Sequence, residues 1–304
     1  MFSYQSVTQR FFTSIRNGEG NAGAICHAGD PDIRILHRVS PLEEFPLADR
    51  RKGLNRTVGV VDVETTGTDP LTDEVIDFAL VMLEVDAVGE IVGIVSAGEA
   101  LRDPGIALPP HITRLTGITD DDVRGKAIDL DILQRRLARA DVLIAHNCAF
   151  DAAFIENLMP AIAGKAWACS ASDFDWVEAG FDGRKLGHLL MQIGRFADAH
   201  RAMADVVSLI HLLAHRLPNG DTVMRRLLAN AETPSIRIEA TGAAFDRRGL
   251  LKARGYRWDP RHRVWWCEIA EYESEAEQLW LQRHISPHGP PPRMLPITWH
   301  QRHR

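Results

Sequence analysis

Three short segments of this sequence hold side chains whose types and spacing could do chemistry. Asp62-Val63-Glu64 sets two carboxylates two residues apart, ahead of Thr65-Thr66-Gly67. The run before them, Thr57–Val63, is β-branched and apolar and predicts a buried strand. Side chains alternate across a strand, so Asp62 and Glu64 share one face while Val61 and Val63 turn into the core. Two like charges there repel each other and become tolerable when a cation lies between them. A solvent-exposed strand end would also accommodate them. Gly67 then permits a backbone shape that other residues resist. The second segment is Ala145-His146-Asn147-Cys148-Ala149-Phe150-Asp151, where a strand runs into a helix. An Asp in a first helical turn is also favoured by the helix dipole, by about 0.3–1 kcal/mol. The third is His200-Arg201-Ala202-Met203-Ala204-Asp205, with the histidine before a helix and Asp205 about one turn inside it. Each segment alone suits a structural role. Their recurrence at element ends, in this order, singles them out.

The elements that must position them follow from local patterns. Glu74–Val85 and Ile91–Ala97 read as strands joined by a turn near Val88-Gly89-Glu90, which favours antiparallel pairing. Asp141–Ala145 is a further short strand. Helices are expected at Pro109–Leu115, Leu130–Ala138, Ala149–Met159, Leu186–Ile193 and Arg201–Arg216, the last stopped by Leu217-Pro218-Asn219-Gly220. This mixture gives an α/β sheet with a partly antiparallel half. Beyond it, Val223–Ala231 reads as a helix, Ile236–Ala240 as a strand and Arg247–Ala253 as a helix. Tyr256–Trp258 with Val264–Ile269 reads as a hairpin and Glu271–His284 as a closing helix.

Taken together, the three segments resemble the three motifs of the DnaQ-like (DEDDh) 3′→5′ exonuclease superfamily. That group includes the proofreading subunit of bacterial DNA polymerase III and stand-alone exonucleases. Asp62–Gly67 resembles its DxETTG motif, His146–Asp151 its HNxxFD motif and His200–Asp205 its HxAxxD motif, over roughly Thr57 to Leu217. The resemblance implies a ribonuclease-H-like fold, a mixed five-stranded sheet flanked by helices. It implies two divalent metal ions, Mg2+ or Mn2+, held by Asp62, Glu64, Asp151 and Asp205, with His200 as general base. Two metals about 3.5–4 Å apart activate water and face the departing oxygen. Hard carboxylate oxygens suit such ions, and a histidine can take the water's proton near neutrality. The implied products are nucleoside 5′-monophosphates. Thr65, Thr66, Gly67 and Asn147 are candidate contacts to the terminal nucleotide. Phe150 is another, though packing suits it better.

Composition narrows the setting. The 304 residues are 45% hydrophobic with net charge −6, so the molecule as a whole is no general polyanion binder and positive charge should be local. Cys26, Cys148, Cys169 and Cys267 form no CxxC pair and no disulfide framework, which fits a reducing cytoplasm. Neither a signal peptide nor a membrane helix is expected. Gly18–Gly23 matches GxGxxG, but without a preceding strand it reads as a turn. His211 and His215 lack the glutamate of a zinc motif, and Asp120-Asp121-Asp122 reads as helix capping.

The expected organisation is an N-terminal arm (1–55, partly flexible, with a helix near Phe2–Ile15), an exonuclease domain (56–219), a small α+β module (220–286) and an extended tail (287–304). The module concentrates arginines and tryptophans. Arg254, Arg257, Trp258, Arg263 and Trp265 are candidates for a single-strand platform, since cations neutralise phosphates and rings stack on bases. The alternative is a small domain with a tryptophan core. The segment also resembles a module appended to some bacterial DnaQ-like exonucleases. Gln278-Leu279-Trp280-Leu281 loosely resembles a sliding-clamp peptide, but helical packing explains it better. The expected function is removal of nucleotides from a single-stranded DNA 3′ end in proofreading or repair, with a polymerase subunit or clamp as partner. RNA 3′-end trimming and a non-catalytic scaffold are the alternatives.

Overall fold

A computed structural model describes residues 33–50, 53–198 and 200–304. The chain divides into two units, Met1–Leu36 and His37–Arg304, and every helix and strand among the described residues belongs to the second. The helix expected near Phe2–Ile15, the glycine pattern at Gly18–Gly23 and Cys26 lie outside the described residues.

In chain order the first elements are β1 (His37–Arg38), β2 (Arg56–Thr65), β3 (Val75–Val85), β4 (Ile91–Leu101), α1 (Pro110–Thr116), α2 (Asp120–Val123), α3 (Leu130–Ala138) and β5 (Val142–Ala145). There follow α4 (Cys148–Leu158), β6 (Trp167–Cys169), α5 (Leu186–Gln192), β7 (Arg195–Phe196), α6 (Ala202–Leu213) and α7 (Val223–Glu232). The last are β8 (Ser235–Ala240), α8 (Arg248–Ala253), β9 (Arg257–Asp259), β10 (Val264–Ala270), α9 (Ser274–His284) and β11 (Arg293–Ile297).

The main sheet has the order β4-β3-β2-β5-β6. Strands β2, β3 and β4 pair antiparallel, and β5 and β6 join parallel to β2. It is the mixed five-stranded sheet flanked by helices that the resemblance implied. The β3–β4 connection is tight because the Asp86 side chain accepts from the backbone of Val88 and Glu90, while Gly89 takes φ 79°. Central β2 is apolar on both faces because both are covered. Val58 and Val60 enter one core with α6 and α7, and Val61 and Val63 enter the other with α3 and α4. Strand β6 is only three residues long, too short to show a period, and was not expected from the residues.

Helix α7 lies beyond the expected domain boundary at 219, yet Val223, Met224, Leu227, Leu228 and Ala231 are buried with the main sheet. Residues before 55 also reach that core: β1 pairs with β7, and Phe45 is buried against it. The second sheet, β11-β8-β10-β9, is antiparallel. Its core joins Ile238, Ala240 and Cys267 to Leu251 of α8 and Leu281 of α9. The tail from residue 287 supplies β11 to this sheet. In the clamp-like segment, Trp280 packs on the module's core whereas Leu279, expected to be core, is exposed.

Candidate active site

Parallel pairing explains why two distant segments meet. Strands β2 and β5 run side by side from Val58 to Val60, so the residues after both strands emerge at one edge. Pairing stops at Val60↔Ile144. The Val63 N–H lies beyond that ladder and donates to Asp151 Oδ1 at 3.1 Å. Asp151 stands in the first turn of α4 and is 2% exposed, so this bond also partners a buried carboxylate.

Asp62 and Glu64 lie on the β2 face that meets α6. Asp205 is in the first turn of α6, and one carboxylate oxygen from each of Asp62, Glu64 and Asp205 lies within 4.8 Å of the others. The His200 N–H donates to Asp205 Oδ2 at 2.8 Å. His200 has φ 69°, a left-handed conformation costly for a residue with Cβ. Its bond to Asp205 helps hold that turn.

The electrostatics reflect crowding. Burial first, then the charges of Asp151 and Asp205, push the Asp62 carboxyl well above its usual range. Burial, Asp205 and Asp77 push Glu64 up to about 7, with Arg201 opposing. Burial raises Asp151 against the pull of the Val63 N–H, and raises Asp205 against the pull of His200. A divalent cation would reverse this balance. The donor set is all carboxylate, and its oxygens converge, so the residues fit a hard cation such as Mg2+ or Mn2+.

The other candidates fall into place unevenly. Thr66 is buried; its hydroxyl donates to Asp73 Oδ1 and accepts from the Glu74 N–H. The Thr65 hydroxyl donates to the Gly67 carbonyl. Both side chains therefore close the loop after β2. Gly67 is not in the left-handed region, as its expected role required. A Cβ there would collide with the Asp73 carboxylate, so space demands the glycine. Asn147, at φ 73°, is exposed just before α4. Phe150 packs against Phe154 with ring centroids 4.8 Å apart. His146 is pinned by Ser170 and the Arg184 carbonyl, and burial lowers its pKa. His211 is tied to the Ser40 carbonyl, and Thr119 with Asp122 forms a capping box.

The expected platform does not hold together as one surface. Cross-strand neighbours share a face. Trp265 opposes Trp258 and turns toward the module's helices, whereas Trp266 opposes Arg257 on the other face. Arg254 is bound by Glu277 through two 2.9 Å bonds and lies over Trp280. Arg263 occupies the β9–β10 turn at φ 54°.

Asp77 was missed. It opposes Glu64 on β3 and is 1% exposed. Its Oδ2 accepts from Arg201 Nε at 3.1 Å and from the Ala202 N–H at 3.3 Å. Its Oδ1 has no partner among the described residues. The signal was available: an acid inside the apolar run Val75–Val85 needs a reason.

The RNase_T exonuclease model matches residues 60–213, which include all three motifs. The chain belongs to this exonuclease family. Among curated relatives, the PolC-type DNA polymerase III of Listeria innocua is 43% identical over 103 residues, 33% of this chain. That of Listeria welshimeri is 40% identical over 113 residues, 36% of this chain. The chain spans only 7% of the length of either polymerase. A solved structure of exonuclease I aligns at 17% identity and TM-score 0.46, covering 80% of this chain and 64% of its own. Among the described residues no helix is long and apolar enough to cross a membrane.

Proposed function

We propose that this chain is a 3′→5′ exonuclease that hydrolyses the terminal phosphodiester of single-stranded DNA and releases nucleoside 5′-monophosphates. The observation that carries this reading is the convergence of Asp62, Glu64 and Asp205 within 4.8 Å, beside buried Asp151. In this proposal those four carboxylates hold two divalent cations, Mg2+ or Mn2+. When bound, such ions supply charge stabilisation to the attacking and departing oxygens.

The chain's own residues do the rest. Asp205 fixes the His200 backbone, and the exposed imidazole takes the attacking water's proton at a ring nitrogen and passes it to solvent. Arg201, held by Asp77, brings a positive charge to the rim and orients a phosphate oxygen. Gly67 and Asn147 receive the terminal nucleotide, with Thr65 and Thr66 shaping the loop that presents it. Proofreading or repair beside a polymerase belongs to the same proposal, supported by the PolC-type relatives.

The test is degradation of 3′-labelled and 5′-labelled DNA and RNA strands with Mg2+, Mn2+ or EDTA, by wild type and Asp62→Ala. Metal-dependent release of mononucleotides from DNA 3′ ends, lost in the variant, is the expected result. Preference for RNA would redirect the substrate assignment. No cleavage with either metal would overturn the proposal.

A further inference from the structure

A cleft of about 1350 Å³ lies between α4 and the second sheet. Its volume exceeds the roughly 300–1,000 Å³ usual for a small-molecule site, which favours a polymer as occupant. On one side it is lined by Asn147, Ala149, Ala153 and Asn157, beginning at the start of the helix that carries Asp151. On the other it is lined by Arg257, Trp266 and Ser235, from the sheet face that α8 and α9 leave uncovered.

The polar side chains of the lining narrow the kind of polymer. Its carboxylates Glu156 and Glu268 pair with Arg304 at 2.8 Å and Arg302 at 2.7 Å, Asp173 is held by His303 at 2.8 Å, and Glu273 accepts the Ala270 N–H at 3.0 Å. Arg257 makes no ion pair among the described residues, and its guanidinium lies 4.5 Å from the centroid of the Trp266 ring, which Arg237 also covers at 4.3 Å. An exposed cation without an ion pair, laid on an indole of a four-stranded sheet, suits an anionic backbone carrying aromatic rings.

We propose that this cleft is a binding site for the single-stranded nucleic acid upstream of the reacting terminus, with the Arg257 guanidinium, backed by the Trp266 ring, as its contact to phosphate and base. The assignment rests on the exonuclease reading for its direction, since it places the 3′ end at Asp62 and the body of the strand along α4. It places the platform on the sheet face opposite Trp258 and Trp265.

The test uses the full chain carrying Asp62→Ala, which keeps the strand intact, and a labelled oligothymidylate of about 20 nucleotides, read by fluorescence anisotropy across salt concentrations. Adding Trp266→Ala or Arg257→Ala should weaken binding by about tenfold. The arginine variant should also lower the salt slope by about 0.7. Trp258→Ala, on the opposite face, should bind as the parent does. Arg257 is exposed, so its variant keeps the test valid if Trp266→Ala does not fold. Unchanged binding in both cleft variants overturns the proposal, as does weakening by Trp258→Ala instead. An acidic peptide that competes as well as the strand overturns it too. The measurement needs no turnover, so it can succeed or fail independently of the hydrolysis assay.

Discussion

The carboxylate of Asp77 accepts the Arg201 side chain at 3.1 Å, joining β3 to the start of α6 across 124 residues of sequence. The same oxygen takes the Ala202 N–H. It therefore fixes the turn that presents His200 and Asp205 against the strand that presents Asp62 and Glu64. Asp77→Ala should cost on the order of 2 kcal/mol of stability, because the Ala202 N–H would be left buried without a partner. Asp77→Asn keeps an acceptor and should fold, while lowering kcat more than it raises KM. Urea titration and steady-state kinetics on one substrate check both.

Removing a carboxylate from the converging set should be far more severe. Asp62→Asn preserves volume and should lower kcat by about 10²-fold or more, corresponding to several kcal/mol of transition-state charge stabilisation. Thermal stability in EDTA should rise in this variant, since one of several repelling acids is gone. A variant with wild-type turnover would remove Asp62 from the mechanism.

The metal-free protein should become less stable as pH rises. Glu64 has its pKa lifted from 4.5 to about 7 in the folded chain. Between those values the folded state holds a proton that the unfolded state has lost, so stability falls as pH increases through this window. Asp62 and Asp205 shift in the same direction. Melting temperature in EDTA should therefore drop from pH 5 to pH 7.5, and Mn2+ or Mg2+ should restore it at the upper end. A shallower profile in Glu64→Gln would locate part of the effect at Glu64.

At position 200 the backbone and the ring can be separated. Asparagine tolerates positive φ better than most residues. His200→Asn should retain the turn and its bond to Asp205 while lowering kcat by about 10²-fold, the usual scale of a lost general base. Calorimetric Mn2+ binding should be unchanged. Loss of metal binding instead would give His200 a structural or ligand role.

Arg302 fastens the second sheet to the end of α7. Its guanidinium donates to Glu268 and to the carbonyls of Ala231 and Thr233. Arg302→Ala should cost roughly 2 kcal/mol. Limited proteolysis near Ser286–Pro292 should speed up if β11 loosens with it.

Much of the site was legible because chemistry and backbone period coincide there. Asp62 and Glu64 fall on one face of a strand whose other face is valine, and Asp151 and Asp205 each sit in a helical first turn. The four longer strands were visible as apolar runs. What escaped detection depended on partners far along the chain. Trp167–Cys169 is a strand only because β5 offers it an edge. Asp77 matters because Arg201 and Ala202 arrive beside it. The choice between Trp265 and Trp266 was a matter of which face the helices cover, and alternation alone does not say. Thr65 and Thr66 looked available to a ligand until Asp73 and Gly67 were seen to engage their hydroxyls.

Strand β6 is one of the two outer strands of the main sheet, and its Trp167 N–H donates to the Trp299 carbonyl. An open outer strand is a template for pairing with another molecule. Here residues more than a hundred positions downstream shield it, with His300 reaching the Gly164 carbonyl and Arg304 the Lys165 carbonyl. During folding that edge stays bare until the distant segment arrives, a slow non-local closure. Chains interrupted before residue 298 should therefore be prone to self-association even with every motif residue in place, which makes the far end of the sequence a guardian of solubility.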